Sequence, residues 1–421
     1  MEAHRVRVAV FAGGERFPLL LNPSGVPHFD ATMFAVTELR MKNLASNTIA
    51  NALRALQLFT TFLATEGIDL RKRLTEGSLL DLHEIELLAQ ACRRPLDTFS
   101  AAEVSKADRS ASSTRRAWLE QHRSRLPDRK EELVHPAVTA TRLQCIRDYV
   151  TWLAEIHLAK RHGACLNPRD LRSVVSGFRQ AIDARAPSGL ASQEREGISP
   201  DMRSRLNRVT RPDAPDNPWV DLFVRDRNAL IIDWLYHLGL RRGELLSSRV
   251  SDVDFRRGVV RVSRRPDDRD DPRRVQPVVK TRAREVPLSP GLLDMTRQYV
   301  VELRGARPQA RKHDFLFVAE SGAPLSMSGL AKIFKVLRAN IPDLPADLTP
   351  HLLRHTWNDR FSEEMDQNKV PEETERKARS YLMGWSETSG TAAVYTRRHV
   401  REKAKRVSLD LQERVLGDKV E

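Results

Sequence analysis

Cysteine is scarce in this chain: Cys92, Cys145 and Cys165 are the only three in 421 residues, far apart and without CxxC spacing. That pattern argues against a disulfide framework or a cysteine-ligated zinc site and fits a reducing compartment. Aromatic residues are also sparse, at 6%. No run of about 18 uninterrupted apolar residues is present, as a membrane span would need. The best candidate, 229–240, is interrupted by Asp233 and His237. The basic-then-apolar pattern of a signal peptide is missing from the first residues. The expectation is a cytoplasmic protein with no membrane partner.

Positive charge is what the chain has in excess. Lys and Arg number 70 against 56 Asp and Glu, giving a formal charge of +14 and a pI near 10. Such a balance points to a polyanionic partner, nucleic acid before membrane. Residues 1–200 hold 28 basic and 23 acidic side chains, and 201–421 hold 42 and 33. Both halves are therefore basic, and a lone basic tail on a neutral body is the poorer picture. The length exceeds one ordinary core, so two or three domains are expected.

Residues 1–28 read as an N-terminal extension with a small β-hairpin, from Val6, Val8 and Val10 and then Phe17-Pro18-Leu19 across Gly13-Gly14. Residues 29–190 read as a helical domain. Ile49, Leu53, Leu56, Phe59 and Leu63 recur at three- and four-residue steps, with Ser46 or Asn47 to cap the helix and Gly67 to close it. Further helices are expected at 139–158 and 170–184. The Arg- and Lys-rich run 105–131 reads as a solvated face, with DNA contact as the alternative. Residues 191–215 read as a linker punctuated by proline, holding one short basic helix at 202–209.

Residues 216–421 read as a second domain. It opens with a helix over 219–238 that Gly239 ends, followed by strand-like pieces at 259–262, 275–279 and 285–287. Helices are expected at 290–303, 326–339, 350–365, 371–382 and 399–415. The fold class is mainly α with a small antiparallel β-sheet in the C-terminal domain.

Several side chains there have chemistry beyond packing. Arg241, two residues after Gly239, lies at a junction between helices, and Glu244 follows on the same face. An exposed ion pair is the plain reading of that spacing. Thr349-Pro350 makes a good helix start. His351 and Arg354 then share a face near the helix N-terminus, where an anion is favoured and a guanidinium can grip two phosphate oxygens. A surface turn is the alternative, and His355 reads as a brace for the helix. Lys280 reads as the end of the second strand. A solvated lysine on a turn is the plain reading; enclosed by arginines, its pKa would fall and it would serve as a proton donor, with Arg282 and Arg284 as competitors for the role. Half-buried packing is the plain reading of Tyr395 near a helix end; to become a nucleophile its phenol, of pKa about 10, needs cations beside it.

Taken in order, these pieces resemble the tyrosine recombinase (phage integrase) family over about 220–400. The family signature is Arg in a GLRxxE context, Lys on a β-hairpin, HxxR on a helix, His or Trp after Gly, and a C-terminal Tyr. It falls here on Arg241, Lys280, His351, Arg354, Trp385 and Tyr395, with Glu244 as the supporting acid. Trp385 stands where many members have histidine, and the step to Tyr395 is one residue longer than usual. The resemblance implies a helical core-binding domain and a catalytic domain with a C-terminal helix from about 399, together clamping double-stranded DNA. It implies a site-specific recombinase of a mobile element that works through a 3′-phosphotyrosyl intermediate as a homo-tetramer on two DNA sites. It calls for no metal and no cofactor, and it allows accessory recombination proteins as partners. The same chemistry in a type IB topoisomerase, or a non-catalytic DNA-binding protein on this scaffold, are the alternative readings.

Overall fold

The computed structural model describes residues 4–96, 133–160, 168–188, 197–342 and 344–386, together with 404, 407–409, 411 and 412. The basic run 105–131 and Tyr395 lie outside the described residues, as does most of 399–415. The chain divides into two compact units, Met1–Ser192 and Gln193–Glu421. No helix among the described residues is long and apolar enough to cross a membrane.

In the first unit, strands β1 (Arg5–Val10) and β2 (Arg16–Leu21) pair antiparallel, Arg5 opposite Leu21 and Val10 opposite Arg16. Phe17 and Leu20 of β2 are buried in the same core as the helices, so the hairpin is part of the unit and not an appendage. Helix α1 (Phe29–Phe34) continues as a π-helical segment to Arg40. Helix α2 (Ser46–Glu66) buries Ile49, Leu53, Leu56 and Phe59, and Gly67 closes it at φ 65°. Its N-cap is Ala45 with no side-chain hydrogen bond, in place of the expected Ser46 or Asn47. Helices α3 (Leu70–Thr75), α4 (Leu82–Arg93), α5 (Pro136–Lys160) and α6 (Pro168–Asp183) complete the unit. Asp81 and Glu84 form a reciprocal capping box at the start of α4, and Arg73 grips Glu84 at 2.7 and 2.9 Å. Burial pushes the thiols up, Cys92 to about 12 and Cys145 to about 11, so neither is a ready nucleophile.

In the second unit, Ser199 caps helix α7 (Pro200–Thr210) through Met202 N–H. The stretch read as a linker is thus partly core: Ile198, Leu206 and Val209 are buried with Trp219 and α8 (Leu222–Leu238). Gly239, at φ 60°, ends α8, and Arg241 then occupies the N-cap of the short helix α9 (Arg242–Ser247). The sheet has three antiparallel strands, β3 (Val253–Asp254), β4 (Val259–Val262) and β5 (Arg284–Pro287), in that order.

One expected strand, 275–279, does not form. The carbonyl of Pro277 accepts from Ser247 Oγ at 3.0 Å. The carbonyl of Val278 is so close to Gly243 that a Cβ there would meet it at 2.4 Å. This backbone is pressed against α9, Pro277 has no N–H to offer a ladder, and both sides of β4 are already paired. Beyond the sheet come α10 (Pro290–Gln298, continuing as a π-helical segment to Arg304), α11 (Met327–Asn340), α12 (Pro350–Gln367) and α13 (Glu372–Met383).

Asp233, midway along α8, carries a testable consequence. Burial pushes its carboxyl up to about 6, from 3.8. A raised acid favours the folded state below the unfolded pKa, and that contribution is lost as pH rises through about 6. Asp233→Asn is therefore expected to raise stability at pH 7 by roughly 1–3 kcal/mol and to have little effect at pH 4. Urea unfolding at the two pH values checks this; an equal effect at both would contradict it.

Candidate active site

A single carboxylate organises the centre of the second unit. Glu244 sits at the third position of α9, where its Oε2 accepts from the Arg241 backbone N–H at 3.1 Å. The residue is 2% exposed. Arg284 of β5 donates to its Oε2 at 2.9 Å, and Thr281 Oγ1 donates to its Oε1 at 2.6 Å. The Arg241 and Arg354 guanidiniums lie 3.5 and 3.8 Å from it. Burial alone would raise the Glu244 pKa, but the charges of Arg284 and Arg354 and the hydrogen bonds from Arg284 and Thr281 hold it below the ordinary carboxylate range. The exposed ion pair allowed by the Arg241–Glu244 spacing is therefore not what forms; the acid is a buried hub.

Arg354 is placed by α12. Thr349 Oγ1 accepts from Leu352 N–H at 3.3 Å and Pro350 takes the first turn, so the helix begins as its residue types dictate. Arg354 then faces inward and is 2% exposed. Its Nη1 donates to the Gly239 carbonyl at 2.7 Å and its Nη2 to the Met383 carbonyl at 3.2 Å. One side chain thereby ties together the end of α8, the end of α13 and α12 itself. Its guanidinium also stands 5.6 Å from the Trp385 ring. Trp385 is 7% exposed and follows Gly384, whose φ of 64° ends α13. A Cβ on Gly384 would lie 2.7 Å from Arg284 Nη1 and 2.8 Å from Thr281 Cβ, so only glycine fits there.

Arg241, Glu244, Arg354 and Trp385 are thus brought together. His351 lies in the first turn of α12, exposed, with its ring 4.5 Å from that of half-buried His355 in an edge-to-face contact. Lys280 adjoins Thr281 but is exposed rather than enclosed by arginines, because the buried positions of its loop are taken by Thr281 and Arg284. Arg284, the other basic residue considered beside Lys280, has its side chain 1% exposed and paired with Glu244. Thr281 and the structural use of Arg284 were missed from sequence; neither has a local signal, and only the Gly384 contact reveals how tightly they are enclosed.

Fold and site together define a mainly helical chain in two units, the second of which gathers arginines around one buried carboxylate. Residues 222–402 match the phage integrase family, so this segment is a domain of the phage integrase, or tyrosine recombinase, type. It is 29% identical over 131 residues to tyrosine recombinase XerD of Halalkalibacterium halodurans, covering 31% of this chain and 39% of that protein. Identity to a XerC-like tyrosine recombinase of Caldanaerobacter subterraneus is 30% over 186 residues, 40% of this chain and 44% of the other. The chain spans about half or less of the length of the first curated relatives it matches, 39% and 51%. Among solved structures, the crystal structure of XerA recombinase aligns with 90% of this chain and 97% of its own at 16% identity and a TM-score of 0.36.

Proposed function

We propose that this protein is a site-specific DNA recombinase that cuts and rejoins double-stranded DNA through a 3′-phosphotyrosyl link to Tyr395. The observation that carries the reading is the convergence of Arg241 and Arg354, from segments more than a hundred residues apart, on the single buried Glu244. Two guanidiniums fixed in this way suit the two non-bridging oxygens of a phosphodiester, where negative charge grows in the pentacoordinate transition state. Holding them beforehand avoids reorganisation during the reaction.

In the proposed reaction the Tyr395 oxygen forms a bond to phosphorus while the bond from phosphorus to the 5′-oxygen breaks. His351 assists in removing the phenolic proton, and Lys280 gives a proton to the departing 5′-oxygen. An exposed Lys280 is consistent with a donor that meets the leaving group only when the duplex is bound. Trp385, against Arg354, keeps that guanidinium in its plane. The ester conserves the bond energy, so a 5′-hydroxyl of another strand reverses the step and completes the exchange, with no oxidation or reduction. Two duplexes exchanging strands need four such sites, hence a homo-tetramer on DNA. A place in a mobile element and a nucleoid location follow from the same reading.

The test uses the native chain and a duplex nicked just beyond the cleavage point, so that the short released strand diffuses away and religation fails. A covalent adduct whose DNA-bearing peptide contains Tyr395 supports the reading; no adduct on duplexes drawn from the flanks of its own coding region sinks it. Exchange between two sites, rather than relaxation of a supercoil by a single copy, distinguishes recombinase from topoisomerase.

A further inference from the structure

We propose, resting on the recombinase reading, that Arg284 is a positioning residue that locks three reactive segments into one register without touching DNA itself. Its side chain is almost wholly enclosed, and its donors go in three directions. Nη2 reaches Glu244 Oε2 at 2.9 Å, which fixes the acid that Arg241 and Arg354 share. Nη1 reaches Thr281 Oγ1 at 3.1 Å, one residue from Lys280. Nε reaches the Leu382 carbonyl at 2.6 Å, three residues before Trp385. The backbone repeats the link: Arg282 N–H donates to the Gly384 carbonyl at 3.0 Å. Gly384 carries no Cβ where one would strike Arg284 and Thr281.

The geometry is therefore a node. Arg284 joins the arginine pair, the lysine-bearing loop and the last turn of α13, and each join is a separate hydrogen bond from one rigid planar group. A lysine could satisfy one of these directions but not all three. Thr281 is the specific relay to Lys280, since it donates to Glu244 while accepting from Arg284. Displacing it would shift the ammonium that protonates the leaving oxygen. Loss of this node should thus slow chemistry more than it weakens DNA binding, because the phosphate contacts that hold a duplex are spread over the basic surface.

The experiment compares native protein with Arg284→Met, Arg284→Lys and the milder Thr281→Val. Single-turnover adduct formation is followed on a nicked duplex, alongside duplex affinity and thermal melting. A second duplex carries sulfur in place of the 5′-bridging oxygen; a thiolate leaves without needing a proton, so that substrate bypasses Lys280. Arg284→Met is expected to slow adduct formation about 100-fold with affinity changed no more than about threefold, and Arg284→Lys to fall between it and native. Thr281→Val is expected to slow the normal duplex about tenfold and to regain most of that on the sulfur duplex. A purely structural role predicts equal slowing on both duplexes in step with lost melting temperature, and that result, or native rates for Thr281→Val and Arg284→Lys, overturns the proposal. Native protein that forms no adduct on either duplex overturns the recombinase reading and this role with it, whereas a native adduct with unchanged variants removes only the role of Arg284.

Discussion

Tyr395→Phe protein mixed with a nicked duplex is expected to form no covalent adduct while binding that duplex as tightly as the native chain. The substitution deletes one oxygen, and with it the atom that would join phosphorus, so cleavage should drop by at least about 10⁴-fold. Affinity should hold within about threefold, because a chain of charge +14 is expected to draw on many phosphate contacts, with a steep salt dependence. The competing tyrosines sharpen the test. Burial pushes the phenol of Tyr299 up to about 12 and raises that of Tyr149 as well, and Tyr236 is 6% exposed. Tyr381, on α13 and 61% exposed, is the one other tyrosine of the chain open to a substrate. An adduct that persists in Tyr395→Phe and vanishes in Tyr381→Phe would reassign the nucleophile.

Glu244→Ala carries the largest expected effect on stability. Removing the acid leaves Arg284 and Arg354, both almost fully buried, without their shared counter-charge. Breaking a buried pair from one side costs about 3–5 kcal/mol, which urea unfolding at pH 7 would register as a clear fall in midpoint. The sign with pH follows from the depressed folded pKa of Glu244. Its contribution is present above the unfolded value of 4.5 and is lost as pH falls through the lower folded value, so the gap between native and variant should narrow as pH is taken below 4.5. A midpoint unchanged at pH 7 would show that the hub does not hold the unit together. Combined with Arg284→Met, the loss should be less than the sum of the two single losses, since both act on one network.

Much of the fold was legible from the chain alone because it is written in local pattern. The three- and four-residue steps of α2 and the glycines after α2 and α8 are short-range signals. The same is true of the Thr-Pro start of α12. The failures have a common cause. Residues 275–279 have strand composition, but α9 draws their carbonyls away from β4. Ser46 and Asn47 are good caps in isolation, but the chain enters α2 one residue earlier. Residues 197–210 look like linker by proline and charge, yet Ile198, Leu206 and Val209 find a core that no local window shows.

The candidate site divides along the same line. Order and type of Arg241, Lys280, His351, Arg354, Trp385 and Tyr395 are properties of the chain read end to end, and they sufficed to indicate the family that residues 222–402 match. Which cations are buried and which face solvent was decided only in three dimensions. Glu244 as hub and Arg284 as an enclosed node depend on partners 37 to 110 positions apart in sequence. Burial is a property of what packs on a residue, and a charge becomes a fixed part of a site only when distant segments supply both its enclosure and its counter-charge.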